Sequence, residues 1–413
     1  MRIDEMLREV MSLPSPWSIV CVELIRGERL VEVHVRHEGS AVHCPECGEE
    51  AAGYDTRERR WRHLDFCEFK TQIVCDVPRV KCAEHGVKQI DIPWALPMSR
   101  FTAPFECRVI DWLKVAPISA VARLMEISWN EAAGIQGRAV TRGLARKQRK
   151  TASQIGIDET SFQKRHEYVS IICDLITSEV LYVSDGRGQA SIEPFFDALT
   201  EDERASIKVI ALDMHDPFIN VAAVAVPDWE DVLCFDRFHV AQLFTNAVDQ
   251  VRRMEAKDLA AAGDDTLKGT RYHWLKGLAN MTSKMKRELR ELQDRSLLVA
   301  KAWVVKEMAS KLWHYSSKTW AKKAWLNLCD AADATGLAPL QRVARTIRLY
   351  WIGIVNAVVK GVSNARAESV NSRVQELKRR AHGYRNRARF KDAIMFHLGG
   401  LDLYPRPATH TNV

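Results

Sequence analysis

Hydrophobic and polar positions alternate with period two near the start of the 413-residue chain and change to helical spacing after about residue 100. The segments SIVCVELIRG and RLVEVHVRHEG alternate in this way around Gly27 and Glu28. Two alternating runs joined by a short turn predict a β-hairpin. Apolar residues then recur at intervals of three and four, which predicts helices over residues 105–115, from Pro117 onward and over residues 129–144.

Four apolar runs in the middle of the chain predict a mixed sheet. The run in IGIDETSF ends on Asp158, and the run in IKVIALDMHD ends on Asp213. Each is predicted to be a short buried strand that delivers a carboxylate to its end. Between them lie two strand-like runs at residues 168–175 and 179–184, then an amphipathic segment at 191–199. A strand, a hairpin, a helix and a second strand give a sheet with two acidic tips.

Each acidic tip has a neighbouring rival. Asp158 is followed by Glu159, and alternation along a strand would point the two side chains to opposite faces. Asp216 lies three positions after Asp213 and suits the N-cap of a helix that begins at Pro217. The residues alone leave both choices open.

A third carboxylate, Glu368, lies in the helix-like segment NARAESVN, residues 364–371. Glu368 and Asn371 are spaced i, i+3 and therefore share one helical face. Mg²⁺ prefers carboxylate and water oxygens. Two such ions about 4 Å apart can activate an attacking oxygen and stabilise a leaving one in phosphoryl transfer. Three acids from separate elements predict a site for Mg²⁺, or for Mn²⁺.

Residues 241–350 are almost wholly helical by pattern. Asp213 and Glu368 lie 155 positions apart, which predicts a helical insertion between the second and third acids. Six of the twelve tryptophans fall between Trp274 and Trp351, and we expect most of them to be core residues. One apolar face is predicted from residues spaced by three and four: Trp303, Val304, Met308 and Leu312.

A polar cluster follows the strand-like run VLCF. Asp236, Arg237 and His239 occupy this position. Two interpretations are open: contact with phosphate or a metal-bound water, or an ion pair that closes the strand.

Two pairs of soft ligands predict a structural zinc site. Cys44 and Cys47 form a C-x-x-C pair, and Cys82 and His85 form a C-x-x-H pair 35 positions later. Four sulfur and imidazole ligands on two turns can close a tetrahedron around Zn²⁺. The alternative is a set of ordinary buried thiols. Three other residues in the intervening segment are interpreted as packing or surface residues: His63, Cys67 and Cys75.

Positive charge is concentrated in two segments, although the net charge is only +7. Residues 138–150 hold six bases and no acid, and residues 363–391 hold nine bases and two acids. Such local excess suits a polyanion, and a solvated helical face is the alternative. The residues predicted to contact a polyanion are Arg138, Arg142, Arg146, Lys147, Arg149, Lys150, Arg366, Arg373, Lys378, Arg379, Arg380, Arg385 and Arg387.

Neither a signal peptide nor a membrane span is predicted. The first residues, MRIDEMLREV, lack an apolar core, and no apolar run approaches the length of a span. Ten cysteines without a secretory signal fit a reducing compartment. We expect a cytoplasmic protein.

Four blocks, IGIDETSF, ALDMHD, DRFH and SNARAESVNSRVQELKRRAHGYRNRARF, occur in the order found in one known family. They resemble the insertion-sequence transposases of the ISL-three group, over residues 44–398. The resemblance implies a ribonuclease H-like α/β fold with a DDE triad of Asp158, Asp213 and Glu368. It also implies a zinc-ribbon-like module at Cys44, Cys47, Cys82 and His85, followed by a helix-turn-helix. The short helix, turn and basic helix between Pro117 and residue 144 are typical of that motif.

Pattern and resemblance together predict five regions. Residues 1–97 form a β and zinc-ribbon-like domain, and 98–150 a helix-turn-helix with a basic linker. Residues 151–240 and 351–400 form the ribonuclease H-like domain around a helical insertion at 241–350. A tail follows at 401–413.

The predicted function is that of a DNA transposase. It would bind its element's terminal inverted repeats in double-stranded DNA, pair two ends as a homodimer, and catalyse metal-dependent cleavage and strand transfer into target DNA in a bacterial nucleoid. One alternative is a DNA-binding regulator that keeps the fold without catalysis. A ribonuclease H-type nuclease is another, although it would not need two N-terminal binding modules.

Overall fold

The computed structural model describes residues 3–11, 13–39, 41–148, 151–163, 167–295, 297–362 and 365–406. The chain divides into two compact units. The first comprises Met1–Lys147 with Leu401–Val413, and the second comprises Gln148–Gly400. Arg149, Lys150 and Asn364, which belong to segments singled out above, lie outside the described residues.

The first unit contains one helix followed by five strands that form a single sheet. Helix α1 (Ile3–Val10) precedes β1 (Trp17–Ile25), β2 (Leu30–His37), β3 (Ala52–Phe66), β4 (Phe69–Cys82) and β5 (Gly86–Gln89). The strand order is β1-β2-β4-β3, and β5 pairs with β4. The predicted hairpin is confirmed, because β1 and β2 pair antiparallel around a 3₁₀ turn at Arg26–Glu28. Strand β3 is largely exposed apart from Trp61, whereas Ile73, Cys75 and Val77 of β4 are buried in one cluster with Trp17 and Trp94.

Three helices follow the sheet in the first unit, as the spacing predicts. They are α2 (Ala103–Val115), α3 (Ile118–Leu124) and α4 (Trp129–Arg146). The Thr102 hydroxyl caps α2 by accepting from the Phe105 amide. Ser128 and Glu131 form a reciprocal capping box that fixes the start of α4.

The second unit contains the predicted mixed sheet. Its strands are β6 (Gln154–Gln163), β7 (Glu167–Asp174), β8 (Val180–Asp185), β9 (Val209–Leu212) and β10 (Leu233–Phe235), in the order β10-β9-β6-β7-β8. Strands β6, β7 and β8 are antiparallel, whereas β9 and β10 run parallel to β6. The intervening helices are α5 (Gln189–Asp197), α6 (Glu201–Ala205), α7 (Asp216–Ala225) and α8 (Trp229–Val232).

Asp158 lies within a strand and not at its end, so that detail of the prediction is wrong. Strand β6 continues for five residues beyond Asp158, and its pairing with β7 extends to Gln163. Thr160 and Phe162 keep the alternating burial after the apolar run stops. The parallel partner β9 ends at Leu212, so only one side of β6 is paired beyond Asp158.

The second half of the chain is helical, which confirms the pattern over residues 241–350. The helices are α9 (Arg237–Ala261), α10 (Arg271–Leu275), α11 (Ser283–Gln293), α12 (Leu298–Ser310), α13 (Lys318–Ala334), α14 (Ala338–Leu349), α15 (Trp351–Lys360), α16 (Ala365–Arg380) and α17 (Arg387–Leu398), with 3₁₀ turns at Leu278–Asn280 and Leu312–His314. Within the described part of the chain, no helix is both long enough and apolar enough to cross a membrane.

The predicted apolar face of α12 is only partly correct. Trp303 is buried, but Val304 and Met308 are 47% and 42% exposed. The buried face instead follows Val299, Ala302, Lys306 and Ala309. Three tryptophans of this region, Trp274, Trp303 and Trp325, are core residues, as expected, whereas Trp320 is exposed.

Candidate metal centres

Strand register places three aspartates side by side in the second unit. Gly156 of β6 pairs with Ala211 of β9, and Leu212 pairs with Phe235 of β10. Continuing this parallel register puts Asp158 beside Asp213, and Asp213 beside Asp236. The amide of Asp236 donates to the Leu212 carbonyl, 3.3 Å away, so the ladder reaches the third aspartate. Asp213 is therefore the middle acid of the row.

Helix α16 brings Glu368 and Asn371 to the same acids. The Asn371 side-chain amide donates to Oδ2 of Asp158. One and two turns later, Gln375 donates to the Thr160 hydroxyl, and Lys378 Nζ donates to the Ser161 carbonyl at 2.8 Å. The helix thus follows β6, and Glu368 on the same part of its surface lies close enough to Asp213 to act on its charge.

Burial and the closeness of the acids raise their pKa values. Burial, followed by the charges of Asp213 and Glu159, raises the pKa of Asp158 to about 7. Burial, followed by the charges of Glu159, Asp236 and Glu368, raises the pKa of Asp213 to about 7. The pKa of Glu368 is raised by burial and then by the charge of Asp236. Burial and the neighbouring carboxylates both disfavour the ionised form, so the row contains acids whose charges repel one another.

His239, one turn into α9, lies beside two of these acids. Its Nε2 is 3.1 Å from Oδ1 of Asp213 and 3.9 Å from Oδ2 of Asp236. Oδ1 of Asp213 has no hydrogen-bond partner within the described ranges, so its contact with His239 is at ion-pair distance and is not a hydrogen bond. Arg237 lies over the Trp313 ring and makes no ion pair with Asp236 among the described residues. The sequence indicates the polar cluster at residues 236–239, but its position beside Asp213 follows only from the pairing of β10 with β9.

The donor set fits hard divalent cations. Carboxylates from β6, the end of β9 and α16 converge, and buried oxygens of Asp213 and Asp236 lack partners among the residues described. A cation would neutralise the repulsion that, after burial, raises the pKa values of these groups.

The two rival acids have separate positions. The Glu159 amide donates to Oδ1 of Asp158 at 2.7 Å, and its carboxylate adds charge to the cluster. Asp216 is the first residue of α7 and not its N-cap, which is His215, so the predicted cap is wrong by one position. Oδ1 of Asp216 accepts from the Tyr350 hydroxyl at 2.6 Å.

The four predicted zinc ligands of the first unit come together. Their donor atoms lie within 4.8 Å of one another. Cys44 Sγ and Cys47 Sγ are each 3.8 Å from one atom of the second pair, His85 Nδ1 and Cys82 Sγ respectively. Two sulfur ligands of a tetrahedral Zn²⁺ ion, with Zn–S bonds of about 2.3 Å, lie about 3.8 Å apart. The cluster therefore has the dimensions of a closed Zn²⁺ site.

Local backbone geometry supports each ligand pair. Gly48 and Gly86 directly follow the pairs and have φ of 76° and 68°, values that favour glycine. The His85 amide and then its ring donate toward Cys82, which lowers the pKa of that thiol to about 6. A lowered pKa favours the thiolate, the form that binds metal.

The other candidates in the zinc segment lie outside the tetrahedron. Cys75 is buried in β4, and Cys67 is exposed at the turn between β3 and β4. His63 Nδ1 is 2.9 Å from the Thr102 hydroxyl, and burial lowers its pKa to about 4.

The three arginines of α4 form hydrogen bonds to other residues of the first unit. Arg138 Nε donates to buried Glu106 at 3.1 Å, and Arg142 donates to the Leu403 carbonyl. Arg146 donates to the Tyr404 carbonyl at 2.7 Å. These contacts hold α4 against α2 and the C-terminal segment, and DNA contact by the three arginines, as by Lys147, stays a prediction.

The basic residues around α16 fall into two groups. Arg366 donates to the Leu175 carbonyl, Lys378 is bonded to β6, and Arg387 pairs with Glu167 at 3.1 Å. The side chains of the second group are exposed to solvent: Arg373, Arg379, Arg380 and Arg385.

The raised pKa values predict an unusual pH dependence for the zinc-loaded protein without Mg²⁺. Asp158 and Asp213 bind protons more tightly when folded, so stability present below about pH 4 is lost as pH rises through about 7. Asp213→Asn should therefore be more stable than the parent at pH 8, by about 1–3 kcal/mol. Hydrogen exchange of peptides covering β9 at pH 6 and 8 measures the difference. Equal pH dependence in the two proteins would contradict the prediction.

Comparison with known proteins identifies relatives of both units. A family model described as a transposase matches residues 155–394, and one described as the zinc finger of transposases IS204/IS1001/IS1096/IS1165 matches residues 40–85. The transposase for insertion sequence element IS1001 of Bordetella parapertussis is 25% identical over 369 residues, which cover 88% of this chain and 90% of that protein. The transposase for IS1557 of Mycobacterium tuberculosis is 27% identical over 384 residues and 86% of each chain. The matched stretches contain the acidic row and the four zinc ligands.

Proposed function

The chain belongs to the transposase family of the ISL-three group, which confirms the resemblance, and from this membership we propose that it cuts and joins DNA at the ends of an insertion sequence. The proposal has three parts: recognition of terminal inverted repeats, cleavage of a phosphodiester at each end, and attack of the freed 3′ hydroxyl on target DNA.

The meeting of three acids from distant parts of the chain carries the proposal. Asp158, Asp213 and Glu368 belong to two strands and a helix, and electrostatic contact with Asp213 joins the other two to it. A protein that only bound DNA would gain nothing from this repulsive cluster. We therefore favour catalysis over the regulator alternative.

These residues would hold two Mg²⁺ or Mn²⁺ ions. When bound, such ions supply charge stabilisation to the attacking and leaving oxygens of an in-line displacement. Asn371 orients Asp158 through its side-chain amide, leaving the remaining carboxylate capacity for a cation. Glu368 is carried by the helix that lies along β6, so its position is tied to that of Asp158.

The exposed bases of α16 and the following loop are our candidates for phosphate contact beside the cut. Arg373, Arg379 and Arg385 are exposed and flank the helix that carries Glu368. Neutralising a phosphate releases counterions, so each contact should reduce the salt dependence of binding when it is removed.

Specific end recognition is assigned to the first unit. We propose that the zinc module and the helix pair α3–α4, as a helix-turn-helix, read the repeats. We also propose that a homodimer pairs two ends, that the mixed sheet is ribonuclease H-like, and that the protein acts at the bacterial nucleoid in the cytoplasm.

A cleavage and joining assay tests the function. Labelled DNA from the regions flanking the coding sequence, with any short inverted repeats found there, is incubated with protein and Mg²⁺. Strand breaks at the repeat ends, followed by joining to a target plasmid, are the expected result. Binding without breakage would favour a regulator. Cleavage of RNA–DNA hybrids without joining would favour a ribonuclease H-type nuclease.

A further inference from the structure

Three side chains, one of them from the proposed triad, converge on one point. Donor atoms of Asp213, Asp236 and His239 all lie within 4.8 Å of one another. Asp213 belongs to the triad, whereas Asp236 and His239 have no role in the function proposed above. Asp236 directly follows β10, the strand that pairs with β9, and His239 lies in the first turn of α9.

One oxygen of the Asp236 carboxylate caps a helix, and the side chain also lies against the Glu368 carboxyl. Oδ1 of Asp236 accepts from the Phe238 amide at 3.2 Å and caps α9. The side chain is only 4% exposed, and its Oδ2 is buried without a hydrogen-bond partner within the described residues. This oxygen lies 3.9 Å from His239 Nε2. A buried carboxylate oxygen without a donor costs free energy unless a ligand satisfies it.

One oxygen of Asp213 faces the same histidine without forming a hydrogen bond. This oxygen, Oδ1, is buried, lacks a hydrogen-bond partner among the residues described, and lies 3.1 Å from His239 Nε2. Because Asp213 is the middle acid of the row, its two oxygens can serve cations on both sides, one toward Asp158 and one toward Asp236.

We propose that Asp213, Asp236 and His239 form a cation position with mixed oxygen and nitrogen donors that prefers a divalent transition ion such as Mn²⁺ to Mg²⁺. Mg²⁺ takes oxygen ligands almost exclusively, whereas imidazole is a regular ligand of transition ions. The inference rests on the proposed function only in identifying this cluster as a metal centre. Metal binding to the DNA-free protein tests it separately.

His215 is the rival nitrogen donor and provides a matched control. It lies two residues after Asp213, is half-buried, and its Nδ1 has no partner within the described ranges. Its ring packs edge-on against Phe218, with centroids 4.7 Å apart, and it is not in the donor cluster. Changing either histidine to glutamine removes one imidazole from the same region.

Electron spin echo spectroscopy of Mn²⁺ bound to the zinc-loaded, DNA-free protein reports directly coordinated nitrogen. The parent protein and His215→Gln should show ¹⁴N modulation, and His239→Gln should not. Titration should show Mn²⁺ affinity reduced about tenfold or more in His239→Gln, with Mg²⁺ affinity within about twofold. Asp236→Asn keeps a cap acceptor and should weaken Mn²⁺ binding to a similar extent.

Several results would overturn the inference: no ¹⁴N modulation in the parent, modulation that survives in His239→Gln, modulation lost in His215→Gln, or a parallel loss of Mg²⁺ and Mn²⁺ affinity in His239→Gln. The cleavage assay with Mg²⁺ separates this failure from failure of the proposed function. If the protein cuts DNA but no nitrogen coordinates Mn²⁺, the proposed function stands and the proposed cation position is wrong. If nitrogen coordinates Mn²⁺ but the protein does not cut DNA, the cation position stands and the proposed function is wrong.

Discussion

Alanine in place of Asp213 is expected to abolish DNA cleavage and joining while leaving the affinity for end DNA within about twofold. Asp213 is the middle acid of the row and interacts with Glu368, so its loss removes a carboxylate that every cation in the cluster would share. Metal ions contribute several kcal/mol to such reactions, which corresponds to a rate loss of at least about 10³-fold. Gel-based cleavage assays and filter binding with the same labelled DNA measure the two effects.

Asp216→Ala is the matched control, because Asp216 lies three residues away and accepts from Tyr350 instead of joining the acids. It should cut DNA at a rate close to that of the parent protein. Glu368→Ala should behave like Asp213→Ala. Cleavage retained by Glu368→Ala would remove that residue from the triad, and cleavage retained by Asp213→Ala would refute the proposed chemistry.

Serine in place of Cys82 is expected to release zinc and unfold much of the first unit. Cys82 ends β4, and its partner ligands hold the turn before β3 and the β4–β5 turn together. Structural zinc contributes folding free energy directly, so we expect the thermal transition of this unit to fall by about 10 °C or more. Elemental analysis and circular dichroism of the purified protein check the loss of metal and of structure.

Cys67→Ser provides the comparison for that experiment. Cys67 lies in the same segment but is exposed and outside the four-ligand cluster. Its zinc content and melting temperature should match those of the parent. If Cys82→Ser kept a full equivalent of zinc, the assigned ligand set would be wrong.

The parts of this molecule that sequence could predict are those that depend on local pattern. The C-x-x-C and C-x-x-H spacings identify four residues that meet in the fold, and the period of apolar residues identifies the hairpin, the mixed sheet and the helices. Asp236 was different, because its place beside Asp213 depends on the pairing of β10 with β9. Strand register between segments distant in sequence is set by tertiary packing, which no single window contains.

Charge patterns were less informative than apolar patterns for a related reason. Arg142 and Arg373 both belong to basic helices and look equivalent in the sequence. In the structure Arg142 donates to the Leu403 carbonyl, while Arg373 is exposed. A long cationic side chain serves a buried carbonyl or a solvent-facing surface equally well, and the choice depends on which segment packs beside it.

Gly156 determines how closely α16 can approach β6. A methyl group at this position would lie 3.0 Å from Cβ of Ala367 and 2.8 Å from Cδ2 of Leu175. Ala367 directly precedes Glu368, the third acid of the proposed triad, so the separation between the sheet and this glutamate depends on the absence of a side chain at residue 156. A larger residue at 156 therefore requires a smaller side chain at 175 or 367. Relatives with a side chain at 156 should carry such paired substitutions.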